Sequence, residues 1–116
     1  MKNLITVLVL LITTVTFSQN KNTRVSFEVN GVCNMCKARI EKACIKTKGV
    51  KTAVWDVDTH ELKVVFDERK TNVNTIEKNV AAAGHDTEHV KATDEAYNAI
   101  SACCKYRDED VVKSHQ

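Results

Sequence analysis

Residues 23–44 read TRVSFEVNGVCNMCKARIEKAC, and this stretch decides the fold. Val25, Phe27 and Val29 alternate with Arg24, Ser26 and Glu28, the period of a strand with one buried face. Asn30-Gly31 breaks the pattern. From Cys36 the period changes. Cys36, Ile40, Cys44 and Thr47 recur at helical spacing, and Lys37, Arg39, Glu41, Lys42 and Lys46 form the opposite, polar face. The spacing predicts a helix over 36–47, stopped by Lys48-Gly49. Two cysteines three residues apart, Cys33 and Cys36, therefore fall where a strand hands over to a helix.

Outward from there, 50–57 (VKTAVWDV) and 61–67 (ELKVVFD) read as two strands joined by the polar turn Asp58-Thr59-His60. Val73, Ile76, Val80 and Ala83 make the apolar stripe of a second helix over 72–83, with Thr71 or Asn72 as N-cap and Gly84 as stop. Residues 86–92 (DTEHVKA) are a fourth, weaker strand candidate. The order strand, helix, strand, strand, helix, strand predicts an α+β, ferredoxin-like βαββαβ sandwich. Its four-stranded antiparallel sheet would carry both helices on one face and leave the other wet. The expected organisation is an export signal over 1–18, one domain over 19–92, and an extension over 93–116. In the extension Thr93 would cap a short helix, DEAYNAISA, before Cys103-Cys104. Residues 107–116, RDEDVVKSHQ, read as polar and loose.

The first 20 residues, MKNLITVLVLLITTVTFSQN, open with Lys2 and run uncharged from Leu4 to Phe17. That run has the length of a signal-peptide core and is short of the ~20 residues that span a bilayer, with Ser18 and Gln19 near a cleavage point. The chain is expected to be exported, to periplasm or medium, without membrane insertion once the signal is removed. Its formal charge is +2 and the charges are interspersed, so nucleic acid is not an expected partner. Five cysteines, Cys33, Cys36, Cys44, Cys103 and Cys104, make an odd count. In an exported chain this leaves a free thiol, an intermolecular bond or a bound ion.

A loop-plus-helix CxxC lets both sulfurs converge at the helix N-terminus, whose partial positive charge and free N–H groups favour thiolate. Two thiolates suit a soft ion of low coordination number such as Cu(I), whereas Zn(II) asks for two further ligands. The same placement also serves thiol–disulfide exchange, the alternative function. Against it, the element order is not thioredoxin-like and the chain has no proline. No Ser–His–acid set or phosphate-binding glycine loop stands out, so enzymatic chemistry is not expected.

VNGVCNMCKARIEKA, followed by KGVKTAVWDVD, LKVVFDE and AAAGHD, resembles the heavy-metal-associated domain family over about residues 23–92. That family includes copper chaperones, N-terminal domains of metal-pumping ATPases and an exported mercury-binding protein. The resemblance implies the βαββαβ fold and one soft metal ion, with Cys33 and Cys36 as ligands. The ion would be Cu(I) before Hg(II) or Zn(II). The resemblance also implies transfer by ligand exchange to a CxxC-bearing transporter or acceptor. The chain is expected to be a monomer, with a metal-bridged dimer as the alternative. The family's methionine ahead of the first cysteine is absent here, and Met35 lies between the cysteines instead.

His85, after Gly84, is a candidate third ligand or a packing residue. Cys103 and Cys104 are candidates to complete a sulfur site or hold a second ion. A disulfide between such neighbours is strained, though one of them could pair elsewhere in the chain. Cys44, on the apolar helix face, reads as core, as does Trp55.

Overall fold

The computed structural model describes residues 20–116, so the expected signal segment, 1–18, lies outside the described residues. The core strands are β1 (Thr23–Glu28), β2 (Val50–Trp55) and β3 (Glu61–Phe66), antiparallel in the order β1-β3-β2. Val25 faces Val64 and Phe27 faces Leu62 across β1 and β3, while Trp55 faces Leu62 across β2 and β3. The strand period thus places Phe27, Trp55, Leu62, Val64 and Phe66 on one buried face. Arg24, Ser26, Thr52, Val54 and Lys63 remain exposed on the other.

Helix α1 (Asn34–Ile45) and helix α2 (Val73–Ala82) cover the buried face. Cys36, Ile40 and Cys44 of α1 and Ile76 and Val80 of α2 have essentially no exposed surface. Asn72 caps α2, its side chain accepting from the Thr75 N–H at 2.9 Å. Helix α1 begins two residues earlier than its apolar stripe suggests, with Cys33 itself as the N-cap residue in an extended conformation.

The expected fourth strand is reduced to one bridge, Val29 with Thr87. The chemistry of 86–92 explains the difference. Thr87 Oγ1 accepts from the Val90 N–H at 3.1 Å and donates to the Val90 carbonyl at 2.9 Å, and Asp86 Oδ1 accepts from the Ala92 N–H at 2.8 Å. These short side chains bend the backbone into local turns and take up groups that a ladder would need. The Asn30 N–H still donates to the Asp86 carbonyl at 2.9 Å, so the segment remains beside β1 without becoming a strand of the sheet.

The extension carries three short helical elements. Helix α3 (Asp94–Asn98), capped by Thr93, leads to a 3₁₀ turn (Ala102–Cys104) and then to helix α4 (Glu109–Ser114). The reading of 107–116 as loose is corrected here. Asp108 caps α4 by accepting from the Asp110 N–H at 3.0 Å, and Val111 and Val112 pack against the core. Among the described residues, no helix is long and apolar enough to cross a membrane.

Candidate metal centre

Cys33 stands at the N-cap of α1 and Cys36 in its first turn. Their sulfurs are 3.6 Å apart. Both strand and helix hold this junction in place. Val29 anchors one side, its carbonyl accepting from Trp55 Nε1–H at 3.0 Å. Gly31 passes so close to the Trp55 ring that a Cβ there would stand 3.0 Å from it. The Trp55 ring therefore floors the loop that carries Cys33.

Burial pushes the Cys33 thiol up, but the Cys36 N–H, the Cys104 and Cys36 thiols and the Met35 N–H outweigh it and hold it at about 7. The free N–H groups of a helix N-terminus thus point at a sulfur that is substantially thiolate at neutral pH. Cys44 behaves in the opposite way. It is fully enclosed in the core, and burial together with the Glu41 charge pushes its thiol up to about 12. It is a packing residue, as its position on the apolar stripe suggests.

The second pair arrives from the extension. Cys104 Sγ lies 3.2 Å from Cys33 Sγ, across 71 residues of sequence, and Cys104 has no exposed surface. Cys103 Sγ is 4.0 Å from Cys104 Sγ and 3.4 Å from Met35 Sδ, and both Cys103 and Met35 are exposed. The sulfurs of Cys33, Cys103 and Cys104 all lie within 4.8 Å of one another. None of the five cysteines is in a disulfide. Burial pushes the Cys104 thiol up to about 12, with the Cys36 and Cys33 sulfurs adding to it and nearby Arg39 opposing it.

His85 is brought near this group but is occupied. Arg39 Nη1 lies 3.3 Å from His85 Nε2, and a guanidinium can only donate, so Nε2 is the acceptor. Nδ1 therefore carries the proton and donates to the Asn30 carbonyl at 2.8 Å. The ring is fully buried and stacks on Tyr106 with centroids 5.4 Å apart. Burial holds the imidazole at about 4, with the Arg39 charge acting in the same direction and the Asn30 carbonyl against it. His85 is a neutral strut that aims Arg39, with both ring nitrogens engaged.

What sequence reasoning missed is how the extension is clamped. Tyr106 Oη donates to the Gly84 carbonyl at 2.7 Å and accepts from the Asp86 N–H at 2.9 Å. Arg107 donates to Asp86 at 2.7 Å and to the Ala92 carbonyl at 2.9 Å, and lies over the Tyr97 ring at 4.4 Å. The one available signal was the aromatic–cation pair Tyr106-Arg107, one residue beyond Cys103-Cys104.

Residues 26–86 match the heavy-metal-associated domain. The copper chaperone CopZ of Staphylococcus haemolyticus is 30% identical over 54 residues, which are 47% of this chain and 79% of that protein. Among solved structures, oxidized MerP from Ralstonia metallidurans matches with a TM-score of 0.55 at 31% identity, over 58% of this chain and 94% of its own. A copper binding domain from a P-type ATPase matches with a TM-score of 0.55 at 26% identity, over 56% and 89%. The family match ends at Asp86, and Cys103 and Cys104 lie beyond it.

Proposed function

We propose that this chain, which belongs to the heavy-metal-associated domain family, is an exported, non-enzymatic protein that captures Cu(I) through Cys33 and Cys36 and hands it on. The observation that carries this reading is the convergence of the two sulfurs, 3.6 Å apart, at the start of α1. Cu(I) is soft and accepts two or three thiolates. Capture forms two Cu–S bonds and releases the proton of each thiol that was not already ionised. Delivery needs no electron transfer. A thiolate of the acceptor bonds to the ion, one resident Cu–S bond breaks, and the released thiolate takes up a proton. Relatives that are a copper chaperone and a copper binding domain of a P-type ATPase support an acceptor that is itself a CxxC-bearing transporter domain. Hg(II) and Zn(II) are the competing ions, the first supported by the likeness to MerP.

The test is an anaerobic titration of the reduced chain with Cu(I) against a chromophoric chelator, beside Cys33→Ser/Cys36→Ser. Competition by the native chain that disappears in the double variant is the expected result. A native chain that leaves all Cu(I) on the chelator would sink the reading. Export is tested separately, by fractionating cells and sequencing the mature N-terminus. The redox alternative draws on the lowered Cys33 thiol. It predicts turnover in a disulfide-exchange assay, which the copper reading does not.

A further inference from the structure

We propose that Cys104, delivered by the extension, is a third metal ligand, so that the resting site is a Cys33/Cys36/Cys104 trithiolate with Cys103 at its mouth. This rests on the reading of Cys33 and Cys36 as the capture pair. Four observations support it.

The first is spacing. With a metal–thiolate bond of about 2.3 Å, two sulfurs on opposite sides of an ion stand about 4.6 Å apart, and three in a trigonal plane about 4.0 Å. The Cys33–Cys36 and Cys33–Cys104 separations, 3.6 and 3.2 Å, lie nearer the trigonal value. A linear two-sulfur site would need Cys33 and Cys36 to part by about 1 Å on the same bond length. On the Cys33–Cys36 and Cys33–Cys104 sides a trigonal one needs movements of about 0.4 and 0.8 Å.

The second is burial. Cys36 and Cys104 have no exposed surface and Cys33 is partly covered, so the three sulfurs are drawn from the core side of the cluster. Cys103 and Met35, with sulfurs 3.4 Å apart, sit outside them on the open surface. Soft donors thus run from solvent inward.

The third is charge. Three thiolates around Cu(I) leave a net charge of −2, which a buried site cannot hold without a cation. Arg39 is near enough to favour thiolate at Cys104, and His85 Nε2 accepts from its guanidinium at 3.3 Å. A neutral His85 accepts from Arg39 without placing a second positive charge beside it.

The fourth is that the extension is built into the fold. Tyr106 bonds to both Gly84 and Asp86, Arg107 to Asp86 and Ala92, and Ile100 and Cys104 belong to the core cluster. These bonds set the position of Cys104 with the precision of a core residue, and a third ligand needs that. On binding, Cys104 gives up its proton and forms the third Cu–S bond. On transfer, that bond breaks as the acceptor's thiolate bonds to the ion, and Cys104 is reprotonated.

The experiment loads the full reduced chain with one equivalent of Cu(I) and counts sulfur neighbours by X-ray absorption. Native chain, Cys104→Ala, Cys104→Ser and Cys103→Ser are compared, each checked for native fold by NMR. Three sulfurs are expected in the native chain and in Cys103→Ser, and two in both Cys104 variants. Their affinity should fall about ten- to a hundredfold, the range seen when even an outer partner of a metal site is lost. Alanine keeps the site apolar should the serine variant fail to fold. Two sulfurs in the native chain, with affinity unchanged in Cys104→Ala, would overturn the third ligand and leave the capture pair standing. A native chain that binds no Cu(I) would instead remove the capture reading and the third ligand together. Three sulfurs that fall to two in Cys103→Ser but not in Cys104→Ala would also overturn the assignment, placing the third ligand on Cys103.

Discussion

Acidification from pH 7 to pH 4 should cost the metal-free, reduced protein about 2–3 kcal/mol of stability through one side chain, His85, if its buried imidazole resists protonation as argued. The ring is fully enclosed, with Arg39 on Nε2, the Asn30 carbonyl on Nδ1, Tyr106 on its face and Asp86 as its chain neighbour. Folding lowers the pKa from 6.5 to about 4. Between those values the unfolded chain binds a proton that the folded chain refuses. The stability is therefore complete above pH 6.5 and is lost as pH falls toward 4, below which this group has nothing more to lose. At about 1.36 kcal/mol per pH unit the gap gives about 3.4 kcal/mol as a ceiling, and relaxation around an imidazolium brings the expected loss to about 2–3 kcal/mol.

Urea unfolding followed by Trp55 fluorescence, repeated at half-unit steps of pH, measures this loss. With a urea slope of about 1 kcal/mol per molar, the midpoint should fall by roughly 2–3 M across the window. The carboxylates that folding holds down, Asp56, Asp67 and Asp86, have an ordinary value of 3.8 and begin to lose their contribution only below about pH 5, so the range from pH 6.5 to about 5 reports on His85 free of them. His85→Gln supplies the control. Its amide can donate to Asn30 and accept from Arg39 without titrating. The variant should start less stable and show a flat profile from pH 6.5 to about 5, below which the carboxylates act in both proteins. A native profile that is flat there, or a Gln variant with the native slope, would refute the reasoning.

Iodoacetamide at pH 7, in substoichiometric amounts, should mark Cys33 ahead of the more exposed Cys103, with a labelling midpoint near pH 7. Peptide mapping checks this, because the α1 N-terminus lowers the Cys33 thiol while the Cys103 thiol is pushed up. Gly84→Ala should cost about 2–4 kcal/mol in urea, combining the left-handed penalty with overpacking. Gly84 has φ +109, and its new Cβ would meet Ile100 and lie 2.8 Å from the Ala96 carbonyl. Tyr106→Phe should cost about 1–3 kcal/mol, because the Gly84 carbonyl and the Asp86 N–H both lose their partner. Amide exchange should then rise selectively over 94–114. Cys44→Ala should leave Cu(I) stoichiometry unchanged while lowering stability by about 1 kcal/mol, measured by the same titration and by urea.

The parts of this fold that were legible from sequence are those whose signal is local. Alternation in 23–29 and 61–67, the stripe of 73–83 and the caps at Asn72 and Thr93 each involve neighbours within one or two turns, and the described elements follow them. The expected fourth strand failed for an equally local reason that strand periodicity does not register. Asp86 and Thr87 have side chains short enough to bond their own backbone, and that competition left one bridge where a ladder was expected. Helix α4 was hidden because its apolar content is only Val111-Val112, although Asp108 at the cap and Glu109 and Asp110 in the first turn were readable.

Sequence marked Cys103 and Cys104 as candidates to complete the sulfur site, but the contacts that bring Cys104 to Cys33 were hidden for a deeper reason. The cluster's shortest separation, Cys33 to Cys104, joins residues 71 apart, and nothing periodic encodes that closure. What encodes it is a set of single reaches across the molecule. The Tyr106 hydroxyl goes to Gly84, the Arg107 guanidinium goes to Asp86, and Ile100 packs against the glycine that ends the second helical segment. Each is a specific side chain meeting a specific turn, and each acts at 84–86, the loop that also carries His85. That loop therefore holds the extension on one side and, through His85, engages Arg39 and the Asn30 carbonyl on the other. Where the family's matched length stops, at Asp86, this chain has placed the residue that ties its own extension down.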